Sequence, residues 1–310
     1  MRRCAFAALL LVIALGAGPF SAGTVQAASA TTQPHVMVIV EENREDSAVL
    51  GTGAAPYLDS LAATYGIASQ SFATSHPSLP NYLDLVSGST QGVHDDGTGY
   101  SFNTPELAGQ LDAAGIGWHA YMEGISTPCP AQTSGGGYAK KHDPFVYFQD
   151  VSGSPACNNV VPYGQLATDL SAGKAPPFLW VTPDLCDDGH DCSTGHMDAW
   201  LASQLPTVLA SAWFDDHGVV IITFDEGSSD AGCCGGASGG HVATLVIAHD
   251  APVHRVLSTP VDHAGTLRTI ETLYGLPLLG DAACSCSGDL LGLFSAEVSP
   301  LSWVTIPRLR

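Results

Sequence analysis

Val36-Met-Val-Ile-Val40 is an unbroken apolar run that gives way to Glu41-Glu42-Asn43. Apolar positions without polar alternation mark a strand covered on both faces, as in a parallel sheet between layers of helices. Similar runs predict strands over 117–122, 178–182, 219–224 and 242–248. Helical spacing with start and stop signals falls between them. Residues 55–65 carry Pro56 in a first turn and meet Gly66; residues 104–114 start at Thr104-Pro105 and meet Gly115. Further helices are predicted over 163–172, 199–209 and 264–274. Ser78 precedes Leu79, Leu83, Leu85 and Val86, and Gly88 follows, which reads as a short helix with Ser78 as its N-cap. Strands alternating with helices imply an α/β fold, a three-layer sandwich around a mostly parallel central sheet. Between Glu123 and Val161 the pattern fades, predicting a long loop insertion tied by a disulfide. The Gly-rich pieces at 135–137 and 232–240 read as loops inside one domain.

The N-terminus changes the picture of where this domain works. Arg2 and Arg3, an apolar run from Ala5 to Leu15 and Val25-Gln-Ala27 form a secretory signal over 1–27, with cleavage near Ala27 and a single domain over 28–310. The expected product is secreted, and no later stretch has the ~20 apolar residues of a membrane span. Losing Arg2 and Arg3 but no acid moves the formal charge from −20 to −22. Such a surface repels polyanions, so neither nucleic acid nor stable association with an anionic membrane is expected, whereas a divalent cation among carboxylates fits. Nine cysteines become eight when Cys4 is removed, an even number suited to disulfides. Proximity suggests Cys129 with Cys157 and Cys186 with Cys192. Cys233, Cys234, Cys284 and Cys286 then remain to link two loops. A four-Cys zinc site is the weaker alternative, since Cys-Cys and Cys-x-Cys do not match its spacing.

Candidate chemistry gathers at strand ends. Glu41-Glu42-Asn43 follows the first predicted strand, the acids between Asp184 and Asp191 follow 178–182, and Asp225-Glu226 follows 219–224. In open α/β sheets ligands collect beyond the carboxyl ends of strands, so three such clusters point to a shared site for a hard or borderline divalent ion. A Cys186–Cys192 bridge would hold Asp188 and His190 in one rigid loop. At the start of its helix, Ser78 is placed both to bind an anion and to attack it. His76 beside it, Asn81 one turn on, and His241 after the Gly-rich loop are read as substrate-binding positions; Asp262-His263 precedes the last helix.

With these residues in view the chain resembles the bacterial phosphoesterase family that contains secreted acid phosphatases and non-specific phospholipases C, a branch of the alkaline phosphatase superfamily. The likeness rests on Glu42-Asn43, Ser75 to Tyr82 with Ser87-Gly-Ser89, Asp188-Gly-His-Asp191, Thr223-Phe-Asp-Glu226, and Asp262-His263 with Arg268-Thr-Ile-Glu271. It implies an alkaline-phosphatase-like fold and metal-assisted attack on phosphorus. Glu42, Asn43, Asp225 and Glu226 would be metal ligands, together with Asp188 and His190, and Ser78 the nucleophile that forms a phosphoserine. The larger phospholipases C of the family carry extra C-terminal material, so a phosphatase acting on a small phosphorylated substrate is expected ahead of a phospholipase C. Gly236-Ala-Ser-Gly-Gly240 matches Gly-x-Ser-x-Gly, but it lies in a Gly-rich loop rather than at a strand-to-helix elbow, which weighs against a serine carboxylesterase. A non-catalytic metal-binding protein is the remaining alternative.

Overall fold

The computed structural model describes residues 33–251 and 253–294. The signal segment, Cys4 and the cleavage position lie outside the described residues. Eight strands form the main sheet: β1 His35–Glu41, β2 Gly66–Ala68, β3 Trp118–Met122, β4 Val160–Pro162, β5 Phe178–Thr182, β6 Gly218–Phe224, β7 Leu245–Ala248 and β8 Arg255–Leu257. Their order is β8-β2-β7-β6-β1-β5-β3-β4. β7 runs antiparallel to β6 and β2, and the remaining pairs are parallel. The expected mostly parallel sheet is therefore present, with one reversed strand. β1 sits between β5 and β6, so the three acid-tipped strands are neighbours and their carboxyl ends converge.

Side-chain alternation along the central strands builds two cores. Val36, Val38, Val40, Phe178, Trp180 and Ile221 face one layer, made of α2 Ser78–Ser87, α3 Leu107–Ala114 and α6 His263–Tyr274. Met37, Ile39, Leu179, Val181, Val220 and Ile222 face the other, made of α1 Pro56–Thr64, α4 Leu166–Ser171 and α5 Thr194–Leu209. The result is the three-layer sandwich that the periodicity implied. None of the described helices is long and apolar enough to cross a membrane.

Local readings need correction in four places. Ser78 is the first residue of α2, and Pro77 occupies the cap position without a side-chain cap bond. The cap of α3 is Glu106, whose carboxylate accepts from the N–H groups of Ala108 and Gly109, so the helix starts after the Thr104-Pro105 signal. The 123–161 insertion contains the short edge strand β4, which pairs with β3. Disulfides Cys129–Cys157 and Cys186–Cys192 are present as expected, but Cys233 bonds Cys234 and Cys284 bonds Cys286, so no bridge joins those two loops.

Candidate active site

Beyond the carboxyl ends of β1, β5 and β6 lies a buried polar cluster beside the start of α2. Ser78 Oγ is 3.4 Å from Glu42 Oε2 and 3.5 Å from Glu226 Oε1. Its position is set by the loop before it. Asn81 accepts from the Thr74 and Ser75 N–H groups and donates to the Ser75 and Pro77 carbonyls, which fastens Thr74–Pro77 onto the helix. The expected role of Asn81 against a phosphoryl oxygen is corrected on this point: with its amide fully engaged, it holds the serine segment. The Gly-rich loop buttresses the same segment, since Ser238 N–H and Gly239 N–H donate to the Thr74 and Ala73 carbonyls. A Cβ on Gly239 would come within 2.4 Å of the Ser75 carbonyl, so only glycine permits this approach. Ser238 is thus a prop for the site, in a backbone setting unlike a nucleophile elbow.

Around Ser78 the acids are tightly linked. Tyr82 Oη donates to Glu42 Oε1 at 2.6 Å, and Asn43 Nδ2 donates to Glu42 Oε2 at 2.9 Å. Asp225 Oδ1 accepts from the backbone N–H of both Asn43 and Glu226. Asn43 adopts φ 54°, a left-handed geometry that Asn tolerates and that turns the chain directly after β1. His76 Nδ1 hydrogen-bonds Glu226 Oε2. His263 Nε2 donates to the Asp225 carbonyl at 2.6 Å, locking the turn after β6 from below.

The remaining wall comes from residues that the sequence reading passed over. His142 is buried, with Nε2 3.1 Å from Glu42 Oε1 and Nδ1 3.3 Å from Asp188 Oδ2, close contacts whose angles do not make hydrogen bonds. Its ring stacks on Tyr82. Lys141 Nζ lies 3.0 Å from Asp96 Oδ2 and 3.2 Å from His190 Nε2, and Asp96 Oδ1 accepts the Leu79 N–H that would otherwise face the site. The missed signal was Lys140-Lys141-His142, two lysines and a histidine in succession in a chain with 10 Lys and Arg in all. His241 is placed elsewhere: its Nε2 meets the Ser69 carbonyl and its ring packs on Phe72, so it is corrected from a substrate contact to a brace of the strand segment 69–72.

Too much negative charge is buried here for the side chains alone to balance. Burial, then Asp225 and Asp188, push the Glu42 carboxyl well above its usual range. Burial likewise raises Asp188 and Glu226 to about 7, and lowers the His142 imidazole to about 3, so it stays neutral. Asp225 Oδ2, Asp188 Oδ2 and His142 Nε2 are buried without a hydrogen-bond partner. Glu42, His142 and His190 each offer a ligand atom within 4.8 Å of the others. Unpartnered buried oxygens and imidazoles facing one space form a donor set that fits a divalent cation.

The fold is alkaline-phosphatase-like, and the site at its strand ends suits hydrolysis of a phosphate ester. A protein in the alkaline phosphatase superfamily from Vibrio parahaemolyticus shares the fold, with a TM-score of 0.54 at 14% identity over 81% of this chain and 70% of that one. The phosphonate monoester hydrolase of Agrobacterium radiobacter does so too, with a TM-score of 0.54 at 15% identity over 84% and 79%. Residues 48–277 match the Phosphoesterase family, and the chain belongs to it, a family of phosphate-ester hydrolases. The chain is 32% identical over 278 residues to a phosphatidylinositol-3-phosphatase of Mycobacterium tuberculosis (strain ATCC 25618 / H37Rv), covering 89% of this chain and 88% of that protein. It is 25% identical over 245 residues to a phosphate-repressible acid phosphatase of Penicillium chrysogenum, covering 75% of this chain but 57% of that relative's length.

Proposed function

We propose that this protein is a secreted, metal-dependent phosphatase that hydrolyses phosphomonoesters through a phosphoserine on Ser78. The observation that carries the reading is the placement of Ser78 Oγ between Glu42 and Glu226 within a buried, under-compensated carboxylate cluster. Glu42, Asn43, Asp225 and Glu226 would hold the cation, with His142, His190 and Asp188 on the opposite wall. Bound there, a divalent ion lowers the pKa of the serine hydroxyl and draws charge from the phosphoryl oxygens. Ser78 Oγ forms a bond to phosphorus as the bond to the leaving oxygen breaks in line; the serine proton is passed through solvent to that oxygen, which departs as the alcohol, while His76 orients the Glu226 carboxylate. Lys141, steadied by Asp96, supplies positive charge beside the phosphoryl group. Water then cleaves the phosphoserine and releases phosphate.

The substrate carries a phosphomonoester. The net negative charge favours soluble esters over anionic bilayers. The name of the mycobacterial relative supports a second reading, in which the monoester sits on a lipid headgroup. Ser78→Ala tests the chemistry. Loss of a covalent nucleophile lowers turnover by several orders of magnitude, whereas Ser78 makes no cap bond whose loss would weaken the helix. Retention of more than about a tenth of activity, a barrier change of only ~1.4 kcal/mol, would remove the covalent role. Chelation should abolish activity and a divalent ion should restore it. A panel of p-nitrophenyl phosphate, a soluble inositol phosphate, phosphatidylinositol 3-phosphate vesicles and phosphatidylcholine vesicles separates the substrate classes. Faster turnover of phosphatidylcholine than of every monoester would reassign the protein as a phospholipase C.

A further inference from the structure

The first N–H groups of a helix have no partner within it, and in α2 one of them belongs to Leu79, directly after Ser78. That N–H donates to Asp96 Oδ1 at 3.0 Å. The second oxygen of the same carboxylate, Oδ2, accepts from Lys141 Nζ at 3.0 Å. One anionic group therefore spans a backbone N–H and an ammonium, and both donors belong to the site. Lys141 Nζ is 3.2 Å from His190 Nε2, and the next residue, His142, places its buried, unpartnered Nε2 3.1 Å from Glu42 Oε1.

Asp96 reaches this position from the irregular loop between α2 and α3. The loop is fastened by contacts other than those of Asp96. Asp95 Oδ1 accepts from Gly97 N–H and Tyr100 Oη, Tyr147 Oη donates to the Gly97 carbonyl, and Lys140 Nζ donates to the Thr98 carbonyl. The Asp96 side chain is 30% exposed, so its carboxylate has solvent to turn into while the loop stays in place. A helix cap would account for the bond to Leu79, and a surface ion pair for the bond to Lys141. Neither accounts for one carboxylate holding both donors beside Ser78.

We infer that the Asp96 carboxylate stands in for a phosphoryl group before substrate binds, and that a phosphomonoester must displace it from Leu79 and Lys141 to reach Ser78. The inference rests on the reading of Ser78 as the attacking group of a phosphatase. A carboxylate and a phosphoryl group share the feature that matters here, two anionic oxygens on one atom that accept charge-assisted hydrogen bonds. In-line attack leaves three equatorial oxygens on phosphorus. In a monoester all three are terminal, so two can take over the Leu79 N–H and Lys141 Nζ while the third faces the Glu42 side of the site. In a diester one of the three carries a second organic group, and one of these partners goes unanswered. Asp96 thus sets the affinity that a ligand must exceed to enter, and a dianionic monoester exceeds it most readily.

Calorimetric titration with inorganic phosphate measures the displacement without any turnover. The full protein as purified is compared with Asp96→Asn, Asp96→Ala and Asp95→Asn. Asp96→Asn keeps an oxygen for the Leu79 N–H, so it preserves the start of α2 and gives an answer even if Asp96→Ala does not fold. Asp95→Asn makes the same change of charge one residue away, at an exposed side chain that touches none of the site residues. The expected result is phosphate binding tightened about tenfold in both Asp96 variants, the scale of one charge-assisted hydrogen bond that no longer has to be broken. The KM for p-nitrophenyl phosphate should fall by a similar factor. Phosphate affinity of Asp95→Asn should stay within about twofold of wild type, because an exposed charge out of contact is screened. A purely structural Asp96 gives the opposite sign, with weaker phosphate binding and a raised KM. Affinity that is unchanged or weaker in Asp96→Asn overturns the inference, as does an equal gain in Asp95→Asn. The reading of Ser78 is judged separately: turnover lost in Ser78→Ala together with unchanged phosphate affinity in Asp96→Asn would remove the role of Asp96 alone.

Discussion

The two sides of the β1 terminus solve the same electrostatic problem differently. On the Ser78 side, buried Glu42, Asp188, Asp225 and Glu226 are interleaved with His76, His142, His190 and Lys141, and Tyr82 and Asn43 hydrogen-bond Glu42. On the far side, Glu41 is buried with neither carboxylate oxygen hydrogen-bonded, and burial and then the charges of Asp188, Asp187, Glu123 and Asp198 push its carboxyl well above the usual range. A third buried carboxylate shows the ordinary solution: Glu106, also fully buried, caps α3 and accepts two backbone N–H bonds. Burial alone therefore does not mark a functional acid. What separates these cases is whether the backbone, basic side chains or neither answers the charge, and a cluster answered by mobile or absent partners is where a ligand is expected.

The largest effect that tests this division compares histidines. His142→Ala removes a buried imidazole from the Glu42 side and should lower kcat/KM by about 1000-fold, within the range for loss of a positioned imidazole. His196→Ala, on the opposite face, should leave kcat/KM within about twofold, since the exposed ring touches nothing at Ser78. Steady-state assays on p-nitrophenyl phosphate decide the matter; equal losses in both variants would dissolve the distinction between the faces.

The benchmark acid yields a pH prediction of intermediate size. Burial, then the charge of Asp150, raises the Glu106 carboxyl to about 8 despite its two N–H bonds. The folded value exceeds the unfolded one, ~4.3, so the folded state holds the proton more tightly. Its contribution is complete below the unfolded value and is lost as pH rises through about 8. Between about pH 5 and pH 7 the loss is on the order of 2 kcal/mol. Glu106→Gln keeps a neutral cap and should flatten that part of the stability profile in urea melts. A variant with the wild-type slope would show that the cap is ionised throughout.

How far the sequence carried these conclusions depends on what each residue answers to. The central strands and most helices were legible because unbroken apolar runs such as 36–40 and stops such as Gly88 and Gly115 are local signals. The ligand-rich strand ends were legible because β1, β5 and β6 end in acids and parallel topology aligns those ends. His142, Lys141 and Asp96 were not, because they come from irregular segments brought to the site by tertiary packing rather than by any period. Asn81 and His241 were misread for a related reason. Residue type shows that a side chain can bind a phosphoryl group, but only the fold reveals that Asn81 is engaged by Thr74–Pro77 and His241 by Ser69. Glu41 lay in plain view beside Glu42, yet only the pleat of β1 assigns the pair to opposite faces.

The smallest effect tests how finely the Ser78 side is tuned. Tyr82 is fully buried, its ring stacks on His142, and its hydroxyl donates to Glu42 Oε1 at 2.6 Å. Tyr82→Phe preserves the ring and its packing, so the fold should stand, while Glu42 loses a hydrogen bond that holds it toward Ser78. A hydrogen bond to a charged acceptor contributes about 1.5–3 kcal/mol, part of which Asn43 and His142 can recover by closing on the freed oxygen. The expected outcome is a loss of about tenfold in kcat/KM, equivalent to ~1.4 kcal/mol. Tyr163→Phe is the matched change on the other face, where the hydroxyl meets Gln204, and it should leave turnover unaltered. A Tyr82→Phe enzyme as active as wild type would mean that Asn43 alone orients Glu42, and a larger loss in Tyr163→Phe than in Tyr82→Phe would mean that the two faces of β1 act on the serine together.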